Sequence, residues 1–293
     1  MFLIAVSGGP DSMYLLNQLF KKYGNQKIAV AHVNYSKRET AIRDQKIVEN
    51  YCHTKNIKLF IKTINPKIYE LEDFKNTNFQ NWAREIRYKF FSDLYKKYDF
   101  QKLYVAHHLD DNLATYLWQK NQKRNPSFFG IRKKRFFKNM VIERPLLKIS
   151  KSFIIKKLIK EKIIFGNDES NDLDIYTRNQ NNKIISKNYF FKMKLIIELF
   201  FKNFFKKFEN QRINQIYKNW SIENYSINFF KESKKQKQIL FRFIYEHLEN
   251  VQLSSQKLES MVSYIVAFNN ESKHYKIDKN HFLYKKNKTL KIG

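Results

Sequence analysis

The heptapeptide VSGGPDS at positions 6–12 holds the first groups with a chemistry of their own. Gly8 and Gly9 let backbone N–H groups approach a ligand closely, and Ser7 and Ser12 add hydroxyl donors. Pro10 suits the first position of a helix, and Asp11 places a carboxylate in the same turn. A helix starting here would add unpaired N–H donors and the positive end of its dipole, giving an anion site suited to phosphates. A plain tight turn between strand and helix would also use Gly-Gly-Pro-Asp. It is not a Walker A loop, because no Gly-Lys followed by Ser or Thr is present. A second concentration is AHHLDD at 106–111. Its carboxylates could hold a divalent cation, and its histidines could face a ligand. Paired histidines also cap cores, and Asp110 also suits a helix N-cap.

Both segments need a frame. Apolar runs of strand length, Phe2–Val6, Ile28–Val33, Ile57–Ile61 and Leu103–Ala106, alternate with helical spacing over Ser12–Lys22, Glu39–Thr54, Phe79–Tyr98 and Asp111–Gln119. This repeat predicts an α/β fold, a parallel sheet with helices on both faces, and ligands gather outside the carboxyl ends of such strands. VSGGPDS and AHHLDD both follow a strand, so they fall on one edge. A short strand within Met140–Leu147 and a helix over Phe153–Ile164 capped by Ser150 complete this part. From about Lys187 the chain becomes rich in Lys, Phe, Ile and Asn, with no glycine until Gly293. We therefore expect two domains, 1–186 and 187–293, the second smaller, mainly helical and basic. Its helices are expected over Tyr189–Phe208, Lys234–Glu249 and Lys257–Phe268, with a β-hairpin in His274–Ile292.

The chain has 293 residues, 43% of them hydrophobic, and a formal charge of +29. No apolar run reaches the roughly 18 residues of a membrane helix, and no signal peptide is evident, so a cytoplasmic location is expected. One cysteine, Cys52, excludes an internal disulfide and any multi-cysteine metal or redox site. The charge fits a polyanionic partner such as a nucleic acid. Drift toward lysine and asparagine codons in an AT-rich genome fits it too, so clustering matters more than the total. Between Lys120 and Lys162 stand 15 Lys or Arg against two acids, Glu143 and Glu161. Phe128, Phe129, Phe136 and Phe137 are interleaved there, as stacking faces or as core.

SGG-x-D-S behind a strand resembles the PP-loop of the ATP pyrophosphatase superfamily, whose members split ATP into AMP and pyrophosphate. More segments narrow the resemblance. AHVNYSKRETAIRD follows the second strand, where the superfamily places adenine, and NWAREIRYKFF matches an ARxxRY helix motif. YVAHHLDDNLATYL matches AHHxxDxxET, and ERPLL is followed by DESNDLDIYTRN. In this order, over about residues 1–180, they resemble the tRNA(Ile)-lysidine synthetase family. The resemblance implies a ligase that joins lysine to the first anticodon cytidine of a tRNA(Ile) with a CAU anticodon, through an adenylated cytidine. ATP and Mg2+ are then the implied cofactors.

By the same resemblance Ser7, Gly8, Gly9, Pro10 and Ser12 grip the pyrophosphate end, with His32 and His107 beside ATP and His108 at the same strand end. Asp11 and Asp111 are the catalytic and metal-binding carboxylates, and Arg178, in YTRN, stabilises charge on the phosphate or the leaving AMP. Arg84 and Arg144 are further candidates for phosphate or tRNA contacts. The sequence departs from the family in three places. Its Glu-Thr reads Ala114-Thr115, so Asp110 or Asp111 must supply that charge or the metal has fewer ligands. Tyr35 stands where a histidine is usual, and Gln180-Asn181-Asn182 follows Asn179 where an arginine is expected. Base thiolation by another PP-loop enzyme and a non-enzymatic RNA-binding role are the alternatives; the lone Cys52 weighs against the first.

Overall fold

The computed structural model describes residues 1–37, 40–70, 78–166, 185, 188–248, 251, 253–267 and 273–293. They divide into two compact units, Met1–Phe200 and Phe201–Gly293.

In the first unit, strands β1 (Phe2–Ala5), β2 (Ile28–Asn34), β3 (Lys58–Thr63) and β4 (Lys102–Tyr104) alternate with helices α1 (Pro10–Tyr23), α2 (Thr40–Thr54), α3 (Phe79–Lys97) and α4 (Leu109–Asn121). Two further strands, β5 (Lys134–Phe137) and β6 (Met140–Glu143), and helix α5 (Lys151–Lys160) follow. The sheet order is β3-β2-β1-β4-β6-β5, with every neighbouring pair parallel except β5–β6. Its central strands are apolar on both sides because both faces are covered. Ile4, Ile28 and Val30 pack with Leu15 and Leu16 of α1, Val48 and Cys52 of α2, and Ile154 and Leu158 of α5. On the other face Leu3, Ala29 and Ala31 meet Tyr88, Phe91 and Leu94 of α3. The expected α/β frame is therefore present, with one antiparallel edge.

That edge carries no sequence signature. β5 reads KRFF, and its first three residues are exposed, so no alternation marks it. It is paired on one side only, and its charges suit a sheet edge. Lys138 and Asn139, at φ 48° and 59°, make the two-residue turn into β6. Of the phenylalanines in this stretch, Phe129 is core, packed on Tyr116, whereas Phe136 is exposed.

Helix α6 (Tyr189–Ile222) runs beyond the expected Phe208, since residues 209–222 contain neither proline nor glycine to stop it. Its early residues Leu195 and Leu199 pack with Leu113, Tyr116 and Ile185 in the first unit. In the second unit the later part of α6 joins α7 (Ile227–Glu232), α8 (Gln236–His247), α9 (Ser255–Val266) and the antiparallel strands β7 (Tyr275–Lys276), β8 (Phe282–Lys286) and β9 (Thr289–Ile292). The expected hairpin is thus a three-stranded sheet. Its Ile277, Leu283 and Leu290 close over Trp220, Phe230 and Phe243. Among the described residues no helix is long and apolar enough to cross a membrane.

Candidate active site

The turn between β1 and α1 is folded tightly upon itself. Gly8 has φ +92°, open to glycine at no steric cost, and a Cβ there would meet the Asp44 carbonyl oxygen at 2.8 Å. Gly9 is the N-cap of α1 and Pro10 opens the helix. The Ser12 hydroxyl donates to Gly9 O (2.9 Å) and accepts from Ser7 N (3.1 Å). Ser12 therefore shapes the turn, while Ser7 stays exposed at its mouth. The N-cap of α1 makes no side-chain hydrogen bond, so the N–H donors of its first turn remain for an anion.

AHHLDD lies one strand over. His108 is the N-cap of α4, and its Nδ1 accepts from Asp110 N at 3.1 Å. Asp111 Oδ2 accepts from His108 N at 3.1 Å and closes the box. Asp110, whose type suits an N-cap, is instead inside the first turn, because His108 already fills that role. Since Nδ1 accepts a hydrogen bond, the neutral imidazole carries its proton on Nε2. That nitrogen stands 3.5 Å from Asp11 Oδ2 and 3.5 Å from Asp111 Oδ2. The fold thus brings Asp11 and Asp111, 100 positions apart, to one imidazole. Burial pushes the Asp11 carboxyl above its usual range, opposed by His108 and Lys151.

Asp11 Oδ1 is buried without a hydrogen-bond partner among the described residues, an oxygen suited to a cation. Those residues include no cluster of three or more His, Cys, Asp or Glu fit for a metal. Two carboxylates without a protein cage are what Mg2+ uses when phosphates and water complete its shell. The donor set fits that ion.

His32 is buried on β2, its Nδ1 donating to Val6 O at 2.9 Å, and its Nε2 has no partner among the described residues. Burial lowers its pKa, which keeps that nitrogen a neutral acceptor. His107, also expected beside ATP, accepts through its Nδ1 from Arg144 Nε at 3.3 Å. Arg178 lies outside the described residues. The chain enters that stretch from Gly166, whose N–H donates to Gly8 O at 2.9 Å, against the phosphate turn itself.

Residues 1–187 match the PP-loop domain of the ATP_bind_3 family. The chain is 42% identical to a tRNA(Ile)-lysidine synthase of Mycoplasmopsis pulmonis, covering 100% of this chain and 99% of the relative. It is 36% identical to the same-named protein of Mesomycoplasma hyopneumoniae, over 97% and 93% of the two chains. It belongs to the tRNA(Ile)-lysidine synthase family. Among solved structures, the U34-tRNA thiolase NcsA of Methanococcus maripaludis, with its 4Fe–4S cluster, shares the fold. The TM-score is 0.56 at 16% identity, over 70% of this chain and 71% of that one.

For a lysidine synthase family member the replacement of glutamate by Ala114 is notable, and the geometry narrows the choice of substitute. Ala114 is fully buried with Leu113, Tyr116 and Phe129. Asp110 accepts from Lys151 N at 2.8 Å and pairs with the Lys192 ammonium of α6. Its charge is spent within the protein. Asp111 is the carboxylate still facing Asp11. Lys192 was not legible as a site residue, being one lysine among many in a basic helix; only its partner makes it distinctive.

Proposed function

We propose that this protein joins the ε-amino group of free lysine to C2 of the first anticodon cytidine of a tRNA(Ile) with a CAU anticodon. ATP is split to AMP and pyrophosphate. Similarity over the full chain to relatives named tRNA(Ile)-lysidine synthase carries the reading.

In the first step the cytidine O2 attacks the α-phosphorus of ATP and pyrophosphate leaves. The N–H groups of the β1–α1 turn and the Ser7 hydroxyl hold the pyrophosphate end, in a turn shaped by Gly8, Gly9, Pro10 and Ser12. His32 presents its buried Nε2 acceptor to the adenine amine. Asp11 and Asp111 would hold Mg2+, which when bound offsets charge on the polyphosphate. In the second step the lysine amine attacks C2 and loses a proton, and AMP departs with O2. Arg178, in the stretch that follows Gly166, stabilises charge on that leaving group. The basic C-terminal region from residue 187 onward binds tRNA, and such substrates favour a cytoplasmic location.

Thiolation would need a reactive thiolate, but Cys52 is the lone cysteine, and burial pushes its thiol up to about 12. The test is incubation of the purified protein with unmodified tRNA(Ile), lysine and ATP. Pyrophosphate release that requires tRNA and AMP release that requires both tRNA and lysine are expected, with a nucleoside equal in mass to cytidine plus lysine minus water. RNA binding without pyrophosphate release would instead support a non-enzymatic role.

A further inference from the structure

Arg144 is a guanidinium in an unusual position. It directly follows β6 at the carboxyl edge of the sheet and is only 6% exposed. Its Nη1 donates to Arg132 O at 2.9 Å and its Nε to His107 Nδ1 at 3.3 Å. Among the described residues it has no carboxylate partner. Burying a cation without an anion is costly, so such a group is normally found paired. Burial lowers its pKa; Tyr88 opposes this, and Arg135 and Arg84 add to it.

Those two arginines complete a corner. Arg84 on α3 and Arg135 on β5 are exposed. Their guanidiniums lie 4.7 Å from the Tyr88 ring centre and 5.1 Å from that of Phe137. Tyr88 and Phe137 meet edge to face at 5.2 Å. Stacking fixes each fork while leaving its N–H edges available. The neighbouring acids are already engaged, Glu85 with Lys138 at 2.6 Å and Glu143 with Lys102 at 2.8 Å. Three guanidiniums, one buried and two at the surface, thus share one corner without an anion among the described residues.

We propose that Arg144, Arg84 and Arg135 form a receptor for one backbone phosphate of the RNA substrate. It rests on the reading that the substrate is a tRNA, and adds where that chain is gripped. A tetrahedral oxyanion suits several converging forks, because planar guanidiniums bind phosphate oxygens in pairs. ATP is not the occupant. β6 lies two places from β1 in the sheet, about 10 Å at roughly 4.8 Å per strand. The receptor therefore sits beside the pyrophosphate turn and not in it.

The experiment compares wild type with Arg84→Gln/Arg135→Gln, a surface pair, and with Arg144→Lys, which keeps the charge but not the fork. Affinity for unmodified tRNA(Ile) is measured by anisotropy over a salt series, together with KM for ATP and Tm. The double variant should bind tRNA about tenfold more weakly, as for removal of one charged hydrogen bond. Its log Kd against log salt slope should flatten by about 0.7–0.9, the amount for one phosphate. Arg144→Lys should weaken tRNA binding in the same direction, with KM for ATP unchanged in both variants. Unchanged tRNA affinity and slope would overturn the receptor. So would a raised KM for ATP with tRNA binding intact, or weaker binding that merely follows a lower Tm. A wild type that binds this tRNA with the full slope but forms no lysidine would overturn the proposed reaction and leave the receptor standing.

Discussion

Two parts of the same sheet edge handle charge in opposite ways. At the ends of β1 and β4, acids and backbone N–H groups converge: Asp11, Asp110 and Asp111 gather around His108 in a chain of formal charge +29. At the end of β6, three arginines converge with no carboxylate partner among the described residues. On the proposed reading the first part would take a cation and the polyphosphate it accompanies, and the second a bare anion. The acidic part is also braced from within, since Lys192 and Lys151 N take up Asp110, while Asp11 and Asp111 stand at the His108 Nε2. The basic part shows no such brace among the described residues, and its balancing charge comes from a ligand.

The largest effect should come from removing the charges of Asp11, Asp111 and Arg178. Asp111→Asn and Arg178→Ala are each expected to lower turnover by about 10²–10³, with ATP affinity only modestly weakened, because their charges matter most as the leaving group forms. Asp11→Asn should abolish turnover. AMP release at saturating tRNA and lysine checks all three, and a near-normal rate for Arg178→Ala would end its assignment.

Lys192→Met tests the brace. Stranding a buried partner costs about 3–5 kcal/mol, and this pair is nearly buried, so a loss toward the lower end is expected in urea melts. Adding Asp110→Asn should recover much of it. Simple additivity of the two losses would show that the pair is not coupled.

How far the comparison could be read from the sequence follows from the kind of group involved. Gly8 and Gly9 announce a backbone device, and a backbone device is local, so the turn was legible before any fold was known. The alternation of strands and helices placed AHHLDD on the same edge for the same reason. The arginine corner takes one residue from α3, one from β5 and one just after β6, and only tertiary packing unites them. β5 itself lacked a pattern, because an edge strand with exposed charges has no buried face to mark. Aspartate favours a cap, which marks Asp110 in the sequence, yet the histidine shortly before it takes that place. Lys192 was one lysine among many until Asp110 lay beside it.

The exposed run Arg132, Lys133, Lys134 and Arg135 sharpens the basic side of the comparison. Replacing all four with glutamine should flatten the salt dependence of tRNA binding by roughly 0.7–0.9 for each phosphate no longer neutralised. An unchanged slope would make codon drift the better account of this run.

The smallest expected effect is a pH dependence from His32. Its folded pKa is depressed by burial, so the unfolded chain binds the extra proton more readily. Stability from neutral His32 is therefore full above about 6.5 and is lost as pH falls below that value. His32→Asn, which can still donate to Val6 O, should flatten this limb of a Tm-against-pH curve. A limb identical to wild type would assign it to other groups.

The N-cap of α4 also limits which group can take the proton from the attacking amine. His108 Nδ1 is occupied by the Asp110 N–H, and its Nε2 carries the hydrogen that faces Asp11 and Asp111. Neither the neutral nor the protonated ring offers a lone pair toward the reacting centre. A histidine beside two candidate metal carboxylates is the first choice for a general base, but the acceptor nitrogen of this one is engaged at the start of a helix. Deprotonating the lysine ammonium falls to a carboxylate, a phosphate oxygen or water.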